Sequence, residues 1–141
     1  MITKRISRFD KATLKGINNL LLQWSSAKRY QITPAYFKSL IKHSHVFVLH
    51  DKDVMIGTVT LIPMYKLSGL KGSVEHLLVD KNYRGQGLGK KLIEHIIVFA
   101  KKMKIVKLSL TCEPERVAAN SLYQKLGFVN DGIHFYQLKL L

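Results

Sequence analysis

Cysteine occurs once in the 141 residues, at Cys112, so no internal disulfide framework exists and no thiolate cluster can hold a metal. The six histidines show no ligand spacing beyond the His43 and His45 pair near a strand start, and no metal site is expected. Acidic residues are also scarce, 9 against 23 Lys and Arg, which leaves a formal charge of +14. Such a field favours an anionic partner, whether a polyphosphate cofactor, nucleic acid or an acidic acceptor, but it selects poorly among them. A merely soluble basic surface is the competing reading. No run reaches the ~18 apolar residues of a membrane span, and Met1 to Asp10 is polar rather than signal-like, so the expected location is cytoplasmic, without a membrane partner. Linkers, internal repeats and low-complexity segments are lacking too. What is present is 47% hydrophobic residues with 23% charged, enough for one folded domain over residues 1–141.

Hydrophobic spacing orders the chain. Ile2 to Ile6 reads as a strand, and Asp10 caps a helix from Thr13 to Trp24 whose Leu14, Ile17, Leu20, Leu21 and Trp24 recur at helical period. Thr33-Pro34 starts a second helix through about Ile41, with Tyr36, Phe37, Leu40 and Ile41 as its apolar side. Val46–Leu49 and Val54–Met64 form a hairpin across Asp51-Lys52-Asp53, and Pro63 should end the second strand, bulge it or lie at an edge. Lys66 to Lys71 reads as a loop and Ser73 to Val79 as the next strand. A helix from about Leu88 buries Leu88, Leu92, Ile93, Ile96, Ile97, Phe99 and Ala100. Val106–Thr111 is a strand, and Glu115 to Leu126 a helix stopped by Gly127. Phe128–Asn130 and Ile133–Leu140 form a last hairpin across Asp131-Gly132. The class is α+β, with a mixed sheet of six to seven strands and about four helices.

Between the strand ending at Val79 and the helix lies RGQGLG, residues Arg84 to Gly89. A glycine-rich turn entering a helix offers unpaired N–H groups and the positive end of the helix dipole to clustered oxyanions. It lacks the GxGxxG order of a dinucleotide fold and the GK[ST] of a P-loop, which disfavours an NAD or nucleoside triphosphate seat.

VEHLLVDKNYRGQGLGKKLI followed by LTCEPERVAANSLYQKLGF resembles the GNAT superfamily of acetyl-CoA-dependent N-acetyltransferases, over Gly72 to Gly132, about half the chain. The resemblance implies a central, mostly antiparallel GNAT-like sheet. It implies that the turn binds the coenzyme A pyrophosphate through the amides of Arg84, Gly85, Gln86, Gly87, Leu88, Gly89 and Lys90, with Arg84 and Lys90 adding charge. It further implies that pantetheine lies along the backbone of Leu77, Leu78 and Val79, in a gap between the strand before the turn and the strand after the helix. Asn120 is implied to contact the cofactor arm, Tyr123 to act as general acid toward the thiolate, and Arg116 to reach a phosphate. Leu77 to Val79 as core alone, and Tyr123 as a half-buried helical tyrosine, are the plain alternatives.

An alkylammonium must lose a proton before it attacks, at a cost of about 4 to 5 kcal/mol at pH 7. Glu75 is the candidate base, or an orienting group for the acceptor, and two-residue alternation places it on one face with Leu77 and Val79. His76 is the weaker candidate, and Cys112 has no evident histidine partner for acyl-cysteine chemistry. The resemblance implies an enzyme that moves an acetyl group from acetyl-CoA to a primary amine by direct attack, with no metal. It also implies an acceptor pocket from Trp24–Thr33, Lys66–Lys71 and Asp131–Tyr136, where Lys28, Arg29, Tyr30 and His134 suit an anionic amine, small or carried on a macromolecule. A homodimer through the last strands is common among the relatives. The rival from another class is a non-catalytic module that binds acyl-CoA, nucleic acid or protein.

Overall fold

A computed structural model describes residues 1–24 and 30–141, in two compact units, Met1–Leu110 and Thr111–Leu141. The first contains β1 (Ile2–Ile6), α1 (Lys11–Leu22), α2 (Pro34–His43), β2 (His45–Asp51), β3 (Val54–Lys66), β4 (Gly69–Val79), a one-turn 3-10 segment (Lys81–Tyr83), α3 (Leu88–Lys102) and β5 (Lys107–Ser109). The second contains α4 (Val117–Lys125). The five strands lie side by side in chain order, antiparallel from β1 to β4 and parallel between β4 and β5. None of the described helices is long and apolar enough to cross a membrane.

The local signals act as their chemistry dictates. Asp10 caps α1 through Oδ2 to the Thr13 N–H at 3.1 Å, and Thr33 Oγ1 caps α2 at the Tyr36 N–H, with Pro34 in the first turn. Asn18 then clamps the returning chain, accepting from the Ile32 N–H at 2.9 Å and donating to the Ile32 carbonyl at 3.0 Å. This fixes the entry of α2 against α1.

Strand pairing assigns the two faces of the sheet. Ile6, Val46 and Val48 face α1 and α2 and form a core with Leu14, Ile17, Leu21 and Phe37. Phe47, Leu49, Val59 and Leu61 alternate with them and are fully buried on the α3 side, where a Cβ on Gly57 would meet Leu92 at 3.1 Å. Leu88, Leu92, Ile93, Ile96 and Ala100 are the buried side of α3; Ile97 and Phe99, expected there, are only half-buried at its margins.

Four expectations need correction. First, the described residues form five strands rather than six or seven, because Phe128–Asn130 and Ile133–Leu140 form no ladder among them. The turn itself closes, with the Gly132 N–H on Asn130 Oδ1 at 3.0 Å and Gly132 at φ 63°. Phe128 is instead consumed by the stop of α4: its N–H reaches the Tyr123 carbonyl at 3.0 Å, the Gly127 N–H reaches Gln124, and Gly127 sits at φ 93°. Second, Lys66 to Lys71 is no open loop, since β4 begins at Gly69 and pairs at once with Lys66. Third, β3 does not stop at Met64 but runs on to Lys66, while the edge expected as one outcome at Pro63 is realised. β2 pairs no further than Leu61, so the missing N–H costs no ladder bond on that side. Fourth, α4 begins at Val117 and β5 covers only Lys107–Ser109, both shorter than their apolar patterns.

Leu92 is wholly enclosed between α3 and the sheet, so Leu92→Ala should cost about 2–5 kcal/mol, read as a lower denaturation midpoint with an unchanged m-value.

Candidate active site

The site begins with an irregularity in β4. Thr60 pairs with Glu75 and Thr58 with Leu78, so Val59 alone stands opposite both His76 and Leu77. The extra residue is accommodated by His76 at φ 50°, a left-handed conformation that bends the strand. The bulge overturns the alternation expected for Glu75. Paired with Thr60, Glu75 lies on the α1/α2 face together with Leu78, which packs against that core, and not with Leu77 and Val79. Ser73, two residues back on the same face, donates its hydroxyl to Glu75 Oε1 at 2.7 Å.

The outer edge of β4 is open where it matters. β5 pairs only with Lys71, Gly72 and Ser73, so among the described residues no strand lies on that edge from Val74 to Val79. An unpaired edge is a template for another extended chain, here one running past Leu77, Leu78 and Val79.

Beyond Val79 the turn is built from caps. Asp80 Oδ1 accepts from the Asn82 N–H, and Asp80 Oδ2 accepts from Gln23 Nε2, both at 2.8 Å. Gln23 Oε1 in turn accepts from the Lys81 N–H at 2.8 Å, tying the end of α1 to the turn. These bonds, Gln23 first, hold the Asp80 carboxyl below the ordinary carboxylate range. Sequence reading missed Gln23; its only signal was a polar residue closing an apolar helix. Arg84 Nε–H donates to the Val79 carbonyl at 3.0 Å, which pins the guanidinium beside the end of β4.

Gly85 and Gly87 both sit at φ 76°, where a side chain is strained, and Gly87 caps α3 without a side-chain bond. Lys91 N–H is bonded to the Gly87 carbonyl at 3.1 Å, and the N–H groups of Leu88, Gly89 and Lys90, in the first turn of α3, have no intrahelical acceptor. Those donors, the dipole of the fifteen-residue α3 and the exposed Arg84 and Lys90 make an anion seat that buried Leu88 anchors to the core. Lys90 also meets Glu94 at 3.7 Å on the exposed face.

An aromatic group lies on the bulge. Trp24 meets the exposed His76 edge-on at 5.5 Å and stacks on Tyr30 at 5.8 Å. Of the acceptor stretch Trp24–Thr33, Lys28 and Arg29 fall outside the described residues.

In the second unit, Arg116 stands exposed at the start of α4. Asn120 donates both amide hydrogens, to the Glu113 and Arg116 carbonyls at 2.9 Å each, leaving Oδ1 as an acceptor. Tyr123 is buried, packs edge-on against Phe128 at 5.9 Å, and takes no hydrogen-bond partner at its hydroxyl among the described residues. Burial, and then Cys112, push its phenol above the usual value against a small opposing effect of Arg116, so it stays protonated at neutral pH. The structure thus brings Leu77 to Lys90 together in one unit, and Arg116, Asn120 and Tyr123 together in the other. His134 stacks on Tyr136 at 6.0 Å, outside any regular element.

The chain is similar to known proteins. The description "Acetyltransferase (GNAT) family" matches residues 15–128. The uncharacterized N-acetyltransferase YobR of Bacillus subtilis is 28% identical over 120 residues, 84% of this chain and 46% of that protein. The chain spans less than half the length of that protein and of the next curated relatives it matches. Among solved structures, glucosamine-6-phosphate N-acetyltransferase from Arabidopsis thaliana aligns with a TM-score of 0.78 at 23% identity, over 98% of this chain and 99% of that one. An aminoglycoside acetyltransferase from an uncultured soil metagenomic sample aligns with a TM-score of 0.86 at 19% identity, over 99% and 96%. At those identities the two structures speak for the fold.

Gly87→Val places a β-branched residue at φ 76°, which should cost about 1–2 kcal/mol of stability and tilt the free N–H groups. Calorimetric titration with coenzyme A should then show at least ~10-fold weaker binding, one lost factor of ten being ~1.4 kcal/mol; equal affinity would contradict the seat.

Proposed function

Given that the chain belongs to the acetyltransferase (GNAT) family, we propose that it transfers an acetyl group from acetyl-CoA to the primary amine of a small or macromolecular acceptor. The observation that carries this is the set of free N–H groups in the first turn of α3, reached through a glycine turn that follows an open strand edge. Together they suit a pyrophosphate followed by an extended amide-bearing arm, which is the shape of coenzyme A. In this reading residues 1–141 serve as one catalytic domain.

Leu77, Leu78 and Val79 pair with the arm through their backbone, and Asn120 offers it Oδ1. The pyrophosphate rests on the amides of Arg84 to Lys90, with charge from Arg84, Lys90 and Arg116. The acceptor nitrogen attacks the thioester carbonyl, forming the C–N bond, and collapse of the tetrahedral intermediate breaks the C–S bond. Tyr123 gives its phenolic proton to the departing thiolate. From a phenol above pKa ~10 to a thiol near ~8.5 this is uphill by at least ~2 kcal/mol, small against the barrier removed. The ammonium proton leaves toward Glu75, directly or through water, and the Ser73 hydroxyl, donating to that carboxylate, holds it on the α1/α2 face of the sheet.

The acceptor remains broader than any one relative. Proteins named for glucosamine 6-phosphate, for aminoglycosides and for N-alpha positions are all similar to this chain, which supports an amine without selecting among them. The excess of cations favours an anionic acceptor, and the Trp24, Tyr30 and His76 rings favour one with a flat or apolar part.

Tyr123→Phe should lower kcat by ~10²-fold with little change in the acetyl-CoA KM, measured by thiol release against an amine panel. Glu75→Gln should lower kcat/KM by ~10²-fold at pH 7 and by much less at pH 9, where more of the amine is already neutral. An equal loss at both pH values would make Glu75 an orienting group instead.

A further inference from the structure

On the opposite face of the sheet from α1 and α2, α3 runs alongside β1 in a way the acetyl-transfer chemistry does not use. Lys91 Nζ approaches the Met1 carbonyl at 3.5 Å, and the Arg5 guanidinium lies 5.5 Å over the Phe99 ring. From Lys91 to Phe99 the helix advances ~12 Å, and from Met1 to Arg5 the strand advances ~13 Å, so the two elements stay in step. Arg5 points to this face because it pairs with Phe47, whose ring meets His95 and Phe99 at 5.1 Å each. His45 closes the row edge-on to Phe99 at 4.9 Å.

Lys91, His95 and Lys102 therefore form an exposed line at i, i+4 and i+11 along one side of α3, with exposed Arg5 beside it. The line is ~17 Å long, the length of about five nucleotides of one strand at ~3.4 Å each. Its nearest acid on the helix, Glu94, is turned to Lys90 on the neighbouring side. Lys90–Glu94 is the one ion pair among the described residues, so the charge on the line is unspent. Val98 is the sole exposed aliphatic residue along it, too little to enter a bilayer, while an exposed imidazole between cations suits a base stacked between phosphates.

We infer that the β1 and α3 edge is a binding surface for single-stranded nucleic acid, separate from the acetyl-transfer site. Lys91, Lys102 and Arg5 hold successive phosphates, and His95 offers its ring to a base. Contacts of this kind carry no sequence code, so binding is sequence-tolerant and steeply dependent on salt.

The test is fluorescence anisotropy with a labelled twelve-nucleotide oligouridylate across a salt series. The wild type should bind with Kd of ~1–100 μM at low salt. Lys91→Gln/Lys102→Gln/Arg5→Gln keeps much of each stem, and should weaken binding at least ~10-fold and flatten the slope of log K against log salt by ~2. The control Lys11→Gln/Lys15→Gln/Lys42→Gln removes equal charge from exposed positions on α1 and α2 and should weaken it less than about threefold. Equal weakening by both triples would reduce the surface to net charge and overturn the assignment. So would no binding by the wild type, or capture by phosphatidylserine vesicles without capture of the oligonucleotide. Melting curves accompany each variant; if the first triple unfolds, Lys91→Gln and Lys102→Gln alone are read, each flattening the slope by ~0.7.

Discussion

One register slip governs the candidate active site. Because Val59 faces both His76 and Leu77, β4 bends between Glu75 and Leu78, and everything downstream is re-aimed. Before the bend β4 is shared between β3 and β5; after it, β5 is absent and the strand keeps only one neighbour among the described residues. The cost is a non-glycine residue at φ 50° and a row of edge groups left without a strand. Neither is favourable for stability alone. Both make sense where a ligand with its own amides completes the sheet.

The turn after β4 shows a second dependence, this one on a remote helix. Gln23 bonds Asp80 and the Lys81 N–H, so the end of α1 sets where the glycine turn begins. Two glycines at φ 76° then aim the peptide N–H groups outward, and buried Leu88 fixes the first turn of α3. The seat is thus held from two sides of the sheet, and its geometry belongs to the first unit as a whole. Taken by itself, the second unit holds a phenol whose pKa burial raises and an amide whose hydrogens are already committed.

α3 has two working ends that follow from the same amphipathic pattern. Its N-terminus offers amides to an anion, and its solvent side carries the lysines that an apolar face leaves over. With 23 cations and 9 acids there are too few partners to neutralise them. Where β1 adds Arg5 to that side, the leftover charge becomes a line rather than a scatter.

Sequence alone determined the elements whose signals are local. The caps at Asp10 and Thr33, the helical period of α1 and α3, the glycine turn and the stop at Gly127 depend on neighbours within a few residues, and each stands where its chemistry required. The motif pair from Gly72 to Gly132 was equally legible as a sign of the family, because its residue types and spacing lie within two short stretches of chain. Tertiary structure decided what depends on pairing. A bulge is invisible to two-residue alternation, so the face of Glu75 was misread until Thr60 was seen opposite it. The apolar run from Ile133 to Leu140 has a strand's composition yet pairs with nothing, because Phe128 is taken by the end of α4 and a ladder needs two sides in register. Gln23 and Arg5 carry no motif; Gln23 acquires meaning only when folding brings Asp80 within a hydrogen bond, and Arg5 only when folding lays it over the Phe99 ring.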